Sequence, residues 1–209
     1  LEKLGLENLS GSFLDPDKFR KEYLFGKPDE DVCALAEHEL TELRAVVGVV
    51  GFIAQSGRPD LIVPCQVLAE GQACGTERHL EQSKRLLRYL AQTCNRRIEV
   101  PIGRDKLFVP EFLFGGRVLV DGYFDANFGN TKANSGVVIF VTVARVHGAK
   151  PMLALWRGVK QHCITLNTQE AEVTASSLAS RELIGLGNVL KEIYDCEVEG
   201  ALFGDNEAA

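Results

Sequence analysis

No Cys-x-x-Cys pair occurs in the 209 residues; Cys33, Cys65, Cys74, Cys94, Cys163 and Cys196 are scattered, most of them with apolar neighbours. That spacing argues against a disulfide framework and predicts reduced thiols in an intracellular protein. There is no signal-peptide pattern and no apolar run long enough to cross a bilayer, so a soluble protein without a membrane partner is expected. A basic excess is also lacking. Lys and Arg number 23 against 29 Asp and Glu, leaving a formal charge of -6 and a pI near 5.3. A free-standing nucleic-acid binder is usually basic, so any such affinity has to come from local patches.

What is present suffices for a buried core: 45% of the residues are hydrophobic, in a length that suits one large domain or two small ones. The chain opens on Leu1 and stops at Ala209, where Asp205-Asn206-Glu207-Ala208-Ala209 reads as the start of another helix. A piece of a longer polypeptide is expected.

Residues 1–40 are largely polar and punctuated by Gly5, Gly11, Pro16, Gly26 and Pro28, which reads as a linker. Residues 41–100 read as a small helical region. From Thr41 to Gln55, Leu43, Val46, Val47, Val50 and Ile53 recur at helical spacing. Gly57-Arg58-Pro59-Asp60 breaks the chain, because Pro59 fixes its own φ and biases Arg58 away from helix. Helices over Leu61–Glu70 and Thr76–Gln92 follow, the latter with Thr76 as N-cap. Its outer side carries Lys84, Arg85 and Arg88, with Arg96 and Arg97 shortly after. On their own these form a solvated face balanced by Glu77 and Glu81. They become candidates for phosphate contact only if the second half handles nucleic acid.

After a Gly- and Pro-containing connecting segment, 101–116, the pattern turns to strands over residues 117–209. Val118–Ala126, Ser135–Val143 and Met152–Trp156 are rich in Val, Leu, Ile and Phe and separated by turns, predicting an antiparallel meander. A long helix, Thr168–Tyr194, and a short strand, Glu199–Phe203, complete the order β-β-β-α-β. The expected class is α/β, a mixed sheet whose last strand lies parallel to the first and beside it.

That topology brings three acids to one edge. Asp125 ends the first strand, Glu172 starts the long helix and Asp205 follows the last strand, at the kind of crevice where open α/β sheets place their sites. Ala175, Ala179, Leu183, Leu186, Leu190 and Ile193 form an apolar stripe that Glu172 continues toward the sheet. Glu170 is rotated by roughly 200° from Glu172 and suits the N3 position of a capping box with Asn167. Asp121 shares the face of Asp125 but lies deeper. Clustered carboxylates push one another toward protonation unless a cation joins them, and a hard ion such as Mg²⁺ prefers oxygen ligands. His147 and His162 are weighed as loop residues; Lys160 is the better candidate for a substrate phosphate.

These residues resemble a family. Arg44-Ala45-Val46-Val47-Gly48, Arg58-Pro59-Asp60 and Lys84-Arg85-Leu86-Leu87-Arg88-Tyr89-Leu90 are similar to the segment that links polymerase to nuclease in copia-like retrotransposon polyproteins. Gly122-Tyr123-Phe124-Asp125-Ala126-Asn127-Phe128-Gly129, Ser135-Gly136, Trp156, Lys160-Gln161, Thr168-Gln169-Glu170-Ala171-Glu172 and Gly204-Asp205-Asn206 follow in the order of that family's ribonuclease H. The resemblance implies a ribonuclease H-like fold, truncated here, with Asp125, Glu172 and Asp205 as catalytic metal ligands. It implies two Mg²⁺ ions, replaceable by Mn²⁺, an RNA–DNA hybrid as substrate, and a further acidic or histidine ligand beyond Ala209. It also implies a polymerase domain as covalent partner and a cytoplasmic, nuclear or virus-like-particle setting. Where Asn127 and Phe128 stand the family often has aspartate and tryptophan, neither an expected ligand. A catalytically inactive remnant that at most binds nucleic acid is the alternative.

Overall fold

The computed structural model describes residues 34–96, 98, 115–127, 133–143 and 149–205. Most of the expected linker, most of the connecting segment, and Arg97, Phe128, Gly129, His147 and Asn206 lie outside the described residues. The chain divides into two compact units, Leu1–Arg97 and Ile98–Ala209.

In the first unit, α1 (Glu37–Ser56) places Leu40, Leu43, Val47, Val50 and Ala54 on one buried face. This helix starts four residues before the expected Thr41. The Glu39 carboxylate accepts a hydrogen bond from Ala36 N–H at 2.9 Å, and buried Leu40 anchors the extra turn. A 3₁₀ turn (Pro59–Leu61) and α2 (Ile62–Glu70) follow, then α3 (Glu77–Gln92). Leu61, Cys65, Leu68, Leu86 and Tyr89 join the face of α1 to form one core.

A polar network closes this core. Arg58 is 7% exposed and donates to both carboxylate oxygens of Asp60 (2.9 and 2.8 Å) and to the carbonyl and hydroxyl of Thr93. Tyr89 donates its hydroxyl proton to Asp60 at 2.7 Å and accepts from Arg96 at 2.9 Å. The Arg58-Pro59-Asp60 sequence is thus both a helix breaker and a buried ion pair. At the start of α3, Thr76 N–H donates to His79 Nδ1 at 3.2 Å. A histidine therefore fills the reciprocal half of the cap, a role that glutamate or glutamine more often takes.

In the second unit β1 (Arg117–Asn127), β2 (Asn134–Val143) and β3 (Met152–Lys160) form the antiparallel meander, and β4 (Glu197–Phe203) pairs parallel to β1. The strand order is β3-β2-β1-β4, a mixed sheet within an α/β unit. Alternation in β1 sends Val118, Val120, Gly122 and Ala126 to the covered face, and Val137, Ile139, Val141 and Val143 do the same in β2. Strand β3 runs four residues past the expected Trp156, because pairing with β2 continues through Lys160↔Asn134 although the apolar run has ended.

α4 (Thr168–Tyr194) crosses back over this face, packing on β1, β2 and β4. At 27 residues it is about 40 Å long. Leu183 lies over Gly122 and Gly200, where an added Cβ would come within 3.2 and 2.5 Å of its side chain. Ala175, Ala179 and Leu190 are buried as the stripe predicts, but Ile193 is 58% exposed. The stripe advances by four residues from Leu190 to Tyr194, which packs on the core in its place. Asp195, in the left-handed region at φ 48°, ends the helix and donates its N–H to Lys191 O.

Candidate metal centre

Strand pairing between β1 and β4 ends at Tyr123↔Phe203, and Gly204 then carries the chain to Asp205. Gly204 lies against the Phe124 ring: a Cβ there would sit 2.7 Å from Cζ. Only a residue without a side chain lets the strand end pass so close to Phe124. On β1 itself Asp125 is exposed, between half-buried Phe124 and buried Ala126.

Glu172 comes from the first turn of α4. Asn167 is the N-cap, extended at φ -154° and ψ 172°, and its side chain accepts from Glu170 N–H at 2.8 Å. The Glu170 carboxylate accepts from Leu166 N–H at 2.7 Å, one residue before the donor of a standard capping box. Glu170 is therefore a capping residue, and Glu172, two positions on, turns inward and is only 3% exposed. Around it Ala126, Ala133, Ala171 and Ala175 form a small core whose short side chains let α4 approach β1 closely.

The three acids meet. One carboxylate oxygen from each of Asp125, Glu172 and Asp205 lies within 4.8 Å of the others. Glu172 Oε1 accepts a hydrogen bond from Ala126 N–H at 3.3 Å, while Oε2 is buried without a hydrogen-bond partner. Burial pushes the Glu172 carboxyl above its ordinary range; the Ala126 bond opposes this, and the charges of Asp125 and Asp205 add to it. A buried carboxylate with an orphaned oxygen, facing two more carboxylates, is the donor set a hard divalent cation satisfies. Asp121 pairs with Phe140 and Ala201, well down the strand, and stays outside the cluster.

Lys160 ends β3 at the same edge of the sheet, paired with Asn134. It lines a cavity of about 340 Å³ together with Arg157, His162, Arg181, Glu182, Ser135 and Gln161. Arg157 is ion-paired with Glu182. Three cations against one carboxylate make this pocket basic in a chain of net negative charge. Arg157 and Arg181, separated by 24 positions in sequence, were not legible as partners of Lys160. In the first unit Lys84 is exposed on α3, Arg85 pairs with Glu81 at 3.1 Å, and Arg88 is half-buried with its Nε unpartnered. Arg96 is engaged by Tyr89 and belongs to the core network.

The sequence reading assigned no role to the Ala126 N–H that holds Glu172, nor to the buried Gln161 side chain, quoted there only within Lys160-Gln161, whose amide donates to Ser135 Oγ and Ala171 O. The adjacent alanines were the available signal for a close helix–strand approach.

Among curated proteins, the chain is 28% identical over 158 residues, 73% of its length, to a retrovirus-related Pol polyprotein from transposon RE1 of Arabidopsis thaliana, of which it spans 9%. It is 26% identical over 146 residues, 68% of its length, to secreted RxLR effector protein 161 of Plasmopara viticola, of which it spans 89%. No family model and no solved structure matches the chain. The first similarity supports a likeness to retrotransposon polyproteins in general. Among the described residues no helix is long and apolar enough to cross a membrane.

Proposed function

We propose that the second unit is the ribonuclease H portion of a copia-like retroelement polyprotein, hydrolysing the RNA strand of RNA–DNA hybrids with divalent metal. The observation that carries this reading is the convergence of Asp125, Glu172 and Asp205, with the buried, unpartnered Glu172 oxygen turned to accept a cation. The acids also follow the order Asp, Glu, Asp.

In this reading Asp125, Glu172 and Asp205 hold Mg²⁺, expected as a pair and replaceable by Mn²⁺. When bound, the metal supplies an activated water and charge neutralisation at the leaving oxygen of an in-line displacement. Ala126 N–H fixes one Glu172 oxygen and leaves the other for the cation, which reduces the reorganisation needed when substrate arrives. Lys160, with Arg157 and Arg181 beside it, neutralises a backbone phosphate of the hybrid. Lys84, Arg85 and Arg88 of the first unit are proposed as further phosphate contacts, and the polymerase domain of the same polyprotein as the covalent partner. Phosphate contacts of this kind set position and affinity and carry no sequence preference.

The alternative is a remnant that binds hybrid and cuts nothing. It draws support from the Plasmopara viticola relative, a protein of nearly the same extent as the matched segment. A Mg²⁺ titration of hybrid binding and cleavage by the chain, beside Asp125→Asn, separates the two. Metal-dependent cleavage lost in the variant supports the nuclease; binding without cleavage at any Mg²⁺ concentration supports the remnant.

A further inference from the structure

We infer that Gln161 is a positioning residue for the metal centre: it locks the first turn of α4 to the sheet and so sets where the Glu172 carboxylate stands. The inference rests on the metal-binding reading of the cluster and names the group that holds its buried ligand in place.

Gln161 is 4% exposed, and a side-chain amide at that depth is costly unless its donors are used. Both are, while the amide oxygen Oε1 is buried without a partner: Nε2 donates to Ser135 Oγ on β2 at 2.9 Å and to the Ala171 carbonyl on α4 at 2.8 Å. The Gln161 backbone N–H donates to Ala133 O at 2.8 Å, which fixes the base of the side chain to the entry of β2.

These links close a ring. Ser135 is the ladder partner of Ala126 on β1; Gln161 spans from Ser135 to Ala171; the next residue is Glu172, whose Oε1 returns to Ala126 N–H. Each member of the ring is thereby referred to the same strand residue.

The ring matters because little else locates this end of the helix. The fully buried contacts there are alanines, with the half-buried Phe124 ring against them, and none of these apolar contacts is directional enough to fix the helix terminus in register. The first turn of a helix also has fewer intrahelical bonds than its middle. A directional amide bridge therefore sets the height of Ala171, and with it the direction of Glu172. Lys160 and Gln161 are adjacent, so one dipeptide points a cation into the basic pocket and an amide into the sheet–helix seam.

The test is Mn²⁺ binding by the whole chain, followed by water-proton relaxation with no nucleic acid present, for wild type, Gln161→Met and Ser135→Ala. Each variant deletes a buried hydrogen bond of the same amide, and thermal melts verify that both fold. Gln161→Met is expected to weaken Mn²⁺ binding by about tenfold or more, the scale seen when a group behind a metal ligand is lost. Ser135→Ala keeps the bridge to Ala171 and is expected to change binding by less than about threefold on the same scale. Equal affinity in Gln161→Met and wild type, or equal losses in the two variants, would overturn the inference. A wild type that takes up no Mn²⁺ overturns the metal-centre reading itself, and this inference with it. Because the readout needs no cleavage, it separates the role of Gln161 from the question of nuclease activity.

Discussion

Glu172 accepts a hydrogen bond from Ala126 N–H, one residue past Asp125 on β1, so the buried acid of α4 is tied to the strand that presents the exposed one. The bond uses one Glu172 oxygen and leaves the other buried and unpartnered. This makes the cluster costly without a cation, and the cost is measurable.

Burial raises the Glu172 carboxyl above its ordinary 4.5. A group whose folded value exceeds its unfolded one favours folding fully below the unfolded value and loses that contribution as pH rises through the folded value. At pH 7 without metal, Glu172→Gln should therefore melt higher than wild type, and the gap should close near pH 4. Adding Mg²⁺ should raise the wild-type midpoint and leave the variant unmoved. Calorimetry across pH, with and without Mg²⁺, measures both effects.

Gly204 is predicted to be intolerant of a side chain. In Gly204→Val the new atoms meet the Phe124 ring, and overpacking of this kind costs about 1–3 kcal/mol. Asp205 should move with it, weakening metal uptake. Phe124→Leu in the same chain should restore part of both, which a denaturant titration and a Mn²⁺ titration would show.

Asp60→Asn is predicted to be among the most damaging changes in the first unit. Arg58 would be left buried without its carboxylate, and removing one partner of a buried pair costs about 3–5 kcal/mol. Tyr89→Phe, which loses only the hydroxyl, should cost about 1–2 kcal/mol. Amide exchange in α1 and α3 reads this unit without interference from the other.

Acid should loosen the start of α3 in a defined window. Burial holds His79 below its ordinary 6.5, where the neutral ring accepts from Thr76 N–H. A depressed folded value means stability is present above the unfolded value and lost as pH falls from 6.5 through the folded one. A second loss belongs to Asp60, where burial is the largest single influence and raises the carboxyl, but the hydrogen bonds from Arg58 and Tyr89 and the Arg58 charge together hold it below its ordinary 3.8. Exchange of the Glu77–Leu80 amides should accelerate below pH 6.5, and His79→Gln, which cannot protonate, should remove that first step.

The elements that sequence reading placed well are those whose periodicity reports burial. Alternation in β1 and β2 and the four-residue steps of α4 both follow from one apolar face meeting one core. Convergence of the three acids followed from topology alone, since a meander, a return helix and a parallel strand carry their ends to one edge. Failures occurred where pairing or polar bonds decide. Strand β3 outruns its apolar residues because β2 continues to pair with it. Ile193 satisfies the stripe numerically, yet the helix pitch favours Tyr194. Gln161 has no periodic signature at all, because its role exists only once Ser135 and Ala171 are adjacent in space.

The most direct test of the nuclease account is strand-resolved cleavage of an RNA–DNA hybrid in Mg²⁺, with the RNA or the DNA labelled in parallel and Asp125→Asn and Glu172→Gln as controls. The account predicts cuts in the RNA strand only, abolished by EDTA and by either substitution. Cleavage of the DNA strand, or RNA cleavage that survives Glu172→Gln, would contradict it.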